Sequence, residues 1–312
     1  MKIFTHSGRF HADDVFATAV IQLAFDAPCH YVRTRDPQII QQATEMDLVI
    51  DVGNSYDPVH NRFDHHQYTA TELNRASGTE QLWPYAAFGL IWKHFGETAI
   101  QKVIPHLPKE TAAALHAEVD NNFVRWLDAD DVGIKAAAGN PTQIATVVAA
   151  FNNPNGNTDE DFCTVVAFAK QVLTVIIRTA AESVSNNRKL AHTIHNHPSA
   201  NPVLELSEGM DWVRLVRQEN QQRSTKIQYI ISPRRDGSWA AQSVPDKKDS
   251  YRPLYPFPHE WATLHGEALQ QKSGIPDAEF CHGGRHLFIA KTRAGVFAAA
   301  ARGLILNNQQ PG

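Results

Sequence analysis

Over the first sixty residues, short apolar runs alternate with amphipathic stretches. Residues 2–5, Lys-Ile-Phe-Thr, read as a brief buried strand. A polar loop follows, His6-Ser7-Gly8-Arg9-Phe10-His11. From Ala12 the apolar positions recur as Val15, Phe16, Ala19, Val20 and Leu23, which is helical spacing. Pro28 is expected to end that helix. Residues 30–33 and 48–52 read as further strands, the latter stopped by Gly53, with a helix at 38–45 between them. Strands alternating with helices predict a parallel sheet with helices on both faces.

Residues 85–180 read as mostly helical. A polar stretch from His192 to Pro202, with His195, His197 and Pro198, reads as a linker. Beyond it, strands are expected at 212–216, 227–231 and 239–244, a turn at 233–237, and helices at 260–271 and 293–305. The expected fold class is therefore α/β. A parallel-sheet domain at 1–195 would carry the chemistry, and a smaller α+β domain at 203–312 would bind substrate.

Composition adds little to this picture. Hydrophobic residues make up 43% and charged residues 20% of 312 residues, ordinary for a globular chain with a real core. The net charge of −4 is not the basic balance of a protein that holds duplex DNA by counterion release. It leaves a nuclease open, because a metal pair adds about four positive charges inside a site. Cys29, Cys163 and Cys281 are odd in number and form no C-x-x-C pair, so reduced thiols in a cytoplasmic protein are expected. No basic region followed by an apolar run opens the sequence, and no run of 18 apolar residues occurs, so neither a signal peptide nor a membrane span is expected.

The sixteen histidines change the picture, because many lie beside aspartates in the first seventy residues. His6-x4-His11-x-Asp13-Asp14 joins a strand to a helix N-terminus. Imidazole and carboxylate together suit borderline cations such as Mn²⁺ or Zn²⁺. The plainer alternative is an aspartate favouring a first helical turn. Asp51 ends the apolar run Leu48-Val49-Ile50, where a carboxylate is costly to bury unpaired. It is either a turn-forming cap or a metal bridge. Asp64-His65-His66 would, on a strand, place Asp64 and His66 on one face and His65 on the other. Asp128-Ala129-Asp130-Asp131 ends a helix that starts near Lys109, where acids oppose the helix dipole and call for a nearby cation. His6, Asp51 and Asp64 each follow a strand, so they can share one sheet edge. Together these residues supply enough ligands for two metals with a shared bridge, an arrangement that serves phosphoryl transfer.

At Asp64-His65-His66 the chain resembles the DHH phosphoesterase superfamily, and within it the melanocyte proliferating gene family of exonucleases. The matching text includes residues 5–13, Arg33-Thr34-Arg35-Asp36, residues 49–53, Arg62-Phe63-Asp64-His65-His66-Gln67 and residues 127–133. Trp239-Ala240-Ala241-Gln242-Ser243-Val244-Pro245 and Phe280-Cys281-His282 extend the match almost to the end of the chain. The resemblance implies that His6, His11, Asp13, Asp51, His65 and Asp128 hold the metals, with Asp131 as rival to Asp128. It implies that Asp51 bridges, that His66 faces the substrate phosphate, and that the two divalent ions are Mn²⁺. No protein nucleophile is then required. This chain departs from the family at Val132, where an asparagine is usual, and at Arg285-His286, which add bulk and charge after Gly283-Gly284.

Arg33 and Arg35 could hold phosphate or pair with Asp36 and Asp47, and Arg35 is kept among the substrate contacts. His282, Gly283, Gly284 and Arg285 join it, since bare glycine backbone lets a phosphate approach closely. Trp83, Trp92, Trp126 and Trp261 are expected to pack rather than to stack on bases. The function expected is an exonuclease acting on single-stranded RNA. The alternatives are a phosphatase or pyrophosphatase acting on a small phosphorylated molecule, and a metal- or nucleotide-binding regulator without turnover.

Overall fold

A computed structural model describes residues 1–25, 30–67, 74–75, 83–134, 143–247 and 251–308. The chain divides into two compact units, Met1–Val184 and Ser185–Gly312.

The first unit is built on a mostly parallel sheet. β1 (Lys2–Thr5) leads to α1 (Ala12–Ala24) and β2 (His30–Arg33), then to the short α2 (Pro37–Ile40). β3 (Leu48–Ile50), β4 (Tyr56–Asp57) and β5 (Arg62–Phe63) complete a sheet of order β2-β1-β3-β5-β4. β2, β1, β3 and β5 run parallel, and β4 is antiparallel to β5. Placing β1 between β2 and β3 buries it on both faces, which is why its core positions Ile3 and Phe4 are apolar without alternation. A two-stranded ribbon, β6 (Asn74–Arg75) with β7 (Trp83–Pro84), precedes the helices.

Those helices are α3 (Ala87–Val103), α4 (Lys109–Val119), a single π turn (Asp120–Val124), α5 (Arg125–Asp131) and α6 (Ile144–Ala150). α1 packs chiefly on α3. Phe16 is sandwiched between Phe88 and Phe123 at ring distances of 5.4 and 5.3 Å.

α7 (Asp159–His195) runs from the first unit into the second. The boundary thus falls inside a helix, not in the polar stretch at 192–202. α7 also contains an 18-residue window of mean hydropathy 1.5, long and apolar enough by composition to cross a membrane. Its residues Phe162, Val165, Val166, Ala169, Leu173 and Ile177 form a buried stripe at helical spacing in the first unit's core.

The second unit has β8 (Val203–Glu205), α8 (Val213–Gln222), β9 (Tyr229–Pro233), β10 (Trp239–Ser243), α9 (Gly266–Ser273), β11 (Ala278–Cys281), β12 (Leu287–Ala290) and α10 (Arg293–Asn308). Its mixed sheet has the order β11-β12-β10-β9-β8, with β8 parallel to β9 and the other pairs antiparallel.

Several local expectations are corrected. Residues 213–222 are helical where a strand was expected at 212–216, because Trp212 and Val216 bury four positions apart and good helix formers follow. The third strand stops at Ile50, since Asp51 turns left-handed at φ 57°. The helix expected at 38–45 is only the single turn of α2, and that at 260–271 begins at Gly266 after a 3₁₀ turn. α1 ends at Ala24, ahead of Pro28, which with Cys29 lies outside the described residues. Trp92 and Trp261 are core residues, and Trp83 packs edge-on against Trp126.

Candidate metal centre

Parallel pairing decides where the aspartates and histidines meet. β1, β3 and β5 end on the same sheet edge, so the residues just beyond them converge: His6 after Thr5, Asp51 after Ile50, and Asp64-His65 after Phe63. The Asp51 amide donates to the Phe63 carbonyl at 3.1 Å and continues the ladder through the turn. An aspartate tolerates the left-handed backbone better than most residues, and here that geometry aims its carboxylate back over the strand ends. α1 enters from the same edge. The Asp14 carboxylate accepts the His11 amide proton at 2.8 Å and closes the helix start, which puts Asp13 on the inward face.

The side chains form one cluster. His6 Nε2 lies 3.2 Å from Asp51 Oδ2 and 3.3 Å from Asp14 Oδ2. His65 Nε2 lies 3.1 Å from Asp51 Oδ1, 3.4 Å from Asp131 Oδ2 and 3.8 Å from Asp13 Oδ2. His11 Nδ1 lies 4.0 Å from Asp131 Oδ1. Asp13 and Asp14 are fully buried, and His6, Asp51 and His65 nearly so, while His11 and His66 stand half open to solvent. A cavity of about 400 Å³ opens on the cluster, with His11, Asp13 and Asp131 on one side and Thr146 and Asn152 on the other.

Asp64 does not point into the cluster as a free ligand. Its Oδ1 accepts the His65 amide at 2.7 Å and His66 Nδ1 at 2.5 Å, and its Oδ2 accepts the Asn54 amide at 2.6 Å. These three residues are not in a strand, which ends at Phe63, so the expected alternation of faces does not apply. The carboxylate instead ties the turn together through the His65 amide and orients the His66 imidazole. The His65 and His66 rings lie 4.5 Å apart.

Four acids in a dry space repel one another. Burial pushes Asp13 well above the usual carboxylate range, and the charges of Asp51, Asp131 and Asp14 push the same way. Burial likewise carries Asp14 up to about 7 against the opposing pull of His6. Asp131 is raised by burial and by Asp51. Asp51 goes the other way. Burial opposes its charge, but hydrogen bonds and charge from His6 and His65 outweigh that and hold it below the usual range. His6 and His65 are raised in return, burial notwithstanding.

Such a cluster is costly without a cation. By hydrogen-bond geometry, Asp13 Oδ1 and Oδ2, Asp14 Oδ2 and His65 Nδ1 are buried with no partner among the described residues. Among the described residues, three donor groups lie close enough to hold an ion: His6, His11 and Asp51; His11, Asp13 and Asp131; and Asp51, Asp64, His65 and His66. Mixed imidazole and carboxylate donors fit a divalent cation of the Mn²⁺ or Zn²⁺ type.

Of the residues singled out from sequence, His6, His11, Asp13, Asp51, His65 and His66 are brought together. Asp128 is not. Its carboxylate meets the Arg75 guanidinium at 2.5 Å and the Gly89 amide at 3.0 Å, and Asp131, one turn on, reaches the histidines instead. Asp14 was passed over as a helix-start residue, and it is one while also facing His6. Arg33 and Arg35 do not pair with Asp36 or Asp47. They donate to the backbone of the first loop, at Gly8 (2.8 Å) and Ser7 (3.3 Å), while Asp36 caps α2 and Asp47 accepts the Lys2 amide.

The second unit holds the remaining candidates. His282, Gly283, Gly284 and Arg285 form the turn between β11 and β12, with Arg285 left-handed at φ 57°. His282 Nδ1 accepts the Gly284 amide, and the His282 and His286 rings lie 4.2 Å apart. Burial pushes the neighbouring Cys281 thiol up to about 12, which suits an inert core residue.

Residues 2–304 match the model of a family described as MYG1_exonuc, Uncharacterised protein family (UPF0160). The MYG1 exonuclease of Homo sapiens is 28% identical over 99% of this chain and 87% of its own length. That of Mus musculus is 28% identical over 96% of this chain and 83% of its own. The MYG1 protein of Chlamydia trachomatis is 29% identical over 99% of this chain and 98% of its own. With nearly its whole length matched, and with the His6-to-His66 cluster inside the matched region, the chain belongs to the MYG1_exonuc family.

Proposed function

We propose that this protein is a metal-dependent phosphodiester hydrolase, an exonuclease that shortens single-stranded RNA. The observation that carries the reading is Asp13, a fully buried carboxylate neither of whose oxygens meets hydrogen-bond geometry with a described residue, set beside Asp51, Asp131 and His65. A bound cation would satisfy that arrangement with the carboxylates ionised. The family relatives named exonucleases supply the reaction class.

In this reading His6, His11 and Asp51 would hold one ion, and Asp13, Asp51, His65 and Asp131 the other. Two divalent ions, Mn²⁺ in this proposal, would supply activation of water and charge neutralisation at the leaving oxygen. The chain's own groups do the rest. Asp51, kept ionised by His6 and His65, fixes the spacing of the two sites. Asp64 holds His66 Nδ1, which leaves the far edge of the half-exposed ring to meet a phosphate oxygen. Arg35 and the turn from His282 to Arg285 are further substrate contacts in this proposal. Bare glycine backbone there suits a phosphate.

The test is incubation of the purified protein with Mn²⁺ and short RNA, single-stranded DNA, pyrophosphate or 3′-phosphoadenosine 5′-phosphate. Asp51→Asn serves as control, since asparagine also accepts a left-handed backbone. Stepwise shortening of RNA, absent in the variant, supports the reading. Phosphate released only from the small molecules replaces the exonuclease with a phosphatase at the same site. No Mn²⁺-dependent product from any substrate overturns the hydrolytic role.

A further inference from the structure

The loop between β1 and α1 carries His6 at one end and His11 at the other, yet it is held in place from 142 residues away. Just beyond α6, the carboxamide of Asn152 grips both peptide groups of Phe10. Its Oδ1 accepts the Phe10 amide proton at 3.0 Å, and its Nδ2 donates to the Phe10 carbonyl at 3.0 Å. Nδ2 also donates to the Ala149 carbonyl at 3.3 Å, which ties the grip to the end of α6. Asn157 stands behind it. Its Nδ2 donates to Asn152 Oδ1 at 2.6 Å and to the Gly8 carbonyl at 2.9 Å.

A carboxamide carries an acceptor and a donor side by side, so one side chain accepts the N–H and donates to the C=O of the same residue. The grip falls one residue before His11, the N-cap of α1, and Asp13 and Asp14 follow within the helix's first turn. Asn152 also lines the cavity that His11, Asp13 and Asp131 share. The Phe10 ring is buried and lies against Phe162, so the loop has an apolar anchor that does not depend on the amide. The amide therefore adds direction more than attachment.

We infer that Asn152, supported by Asn157, is a positioning residue of the metal centre: it fixes the loop so that His6 and His11 stand at metal-binding separation from Asp51 and Asp131. This rests on the reading of the cluster as a cation site. Partners that hydrogen-bond a metal ligand directly typically change metal affinity by tenfold to a hundredfold when lost, and Asn152, acting through the backbone next to His11, is expected near the lower end of that range.

The experiment is Mn²⁺ titration of the full chain followed by electron paramagnetic resonance, which reads binding without turnover, alongside thermal melts of the metal-free protein. Asn152→Ala is expected to weaken Mn²⁺ binding about tenfold or more in folded protein. Asn157→Ala should weaken it by a smaller factor. Asn153→Ala, in the same turn but without a side-chain bond to the 6–11 loop, should bind as the parent does. Should Asn152→Ala melt earlier but bind Mn²⁺ within about twofold of the parent, short of the tenfold scale expected of a ligand-orienting partner, its role is structural only and the inference falls. If that variant does not fold, unchanged binding by Asn157→Ala overturns it instead. A parent protein that binds no Mn²⁺ removes the cation reading itself, and this inference with it.

Discussion

Asp128 and Arg75 form a buried ion pair at 2.5 Å, and Asp131, one helical turn along α5, faces the other way toward His65 at 3.4 Å. Two acids three residues apart thus have different partners. Burial raises Asp128 to about 6 even though Arg75 opposes the shift. Asp120, from the π turn, holds the other side of the same guanidinium. Arg75 in turn lies over the Tyr85 ring at 4.1 Å. The π turn matters here because its extra residue rotates α5 relative to α4, the kind of local adjustment often found at functional sites.

This separation predicts opposite behaviour for the two acids. Asp131→Asn should weaken Mn²⁺ binding by tenfold or more with little loss of fold. Asp128→Leu should leave Arg75 buried and only partly paired, at a cost of about 3–5 kcal/mol. Denaturant unfolding of the metal-free proteins, with Mn²⁺ titration of each, checks both. Loss of metal binding in a fully folded Asp128 variant would reverse the assignment.

Gly89 should tolerate nothing larger than hydrogen. A Cβ there would come within 1.9 Å of Asp128 Oδ2 and 2.4 Å of an Arg75 nitrogen, both buried. Gly89→Ala is expected to destabilise by about 3 kcal/mol or more, at the upper end for an overpacked core. A melting temperature within a degree or two of the parent would show that the ion pair can move aside, since even ~1 kcal/mol shifts a domain of this size by about 2–4 °C.

Asp13→Asn should stabilise the metal-free protein while abolishing cation binding. It removes one of four mutually repelling carboxylates at a position where neither oxygen meets hydrogen-bond geometry with a described residue. A gain of ~1 kcal/mol would appear as a rise of about 2–4 °C. Melts in chelator, and with added Mn²⁺, read the two effects separately. A drop in metal-free stability would mean that Asp13 has a partner other than a cation.

The pH dependence follows from the same charges. Asp14, raised to about 7 in the folded chain, keeps a proton that the unfolded chain releases near its ordinary 3.8. Between those values the folded state binds more protons, so metal-free stability falls as pH rises. His6 and His65 are raised above 6.5, so their contribution is full below that value and is also lost on going up. Asp51, lowered, acts oppositely and matters only as pH falls below its ordinary 3.8. Metal-free melting temperature should therefore decline from about pH 5.5 to pH 8, and the stabilisation by Mn²⁺ should grow over the same range, because ligands must shed their protons. A constant Mn²⁺ effect across that range would contradict the assignment of these groups.

Much of the centre could be read from the linear chain because its ligands sit at positions that secondary structure alone exposes. His6 follows a strand of uninterrupted apolar residues, Asp51 interrupts another, and the acids at 13 and 14 open a helix with clear periodicity. Once parallel strands are inferred, their ends must share an edge, and the convergence follows. The strand pattern failed where two periods fit the same residues, as at 212–216, because a short apolar cluster does not distinguish a strand from the first turn of a helix.

The choice between Asp128 and Asp131 was beyond sequence. Both lie on one helix three residues apart, and which faces the cluster depends on the phase of α5, set by the π turn at 120–124 and by Arg75, which is far away in the chain. The same holds for Asn152. Its importance comes from two hydrogen bonds to a backbone 142 residues distant, and backbone groups leave no trace in side-chain pattern. The chain's own order of apolar and polar residues determined the sheet, its edge and the chemistry gathered there. Packing between distant segments decided which carboxylate faces the histidine cluster and which one a guanidinium, because a buried charge takes whichever partner the folded chain places within reach.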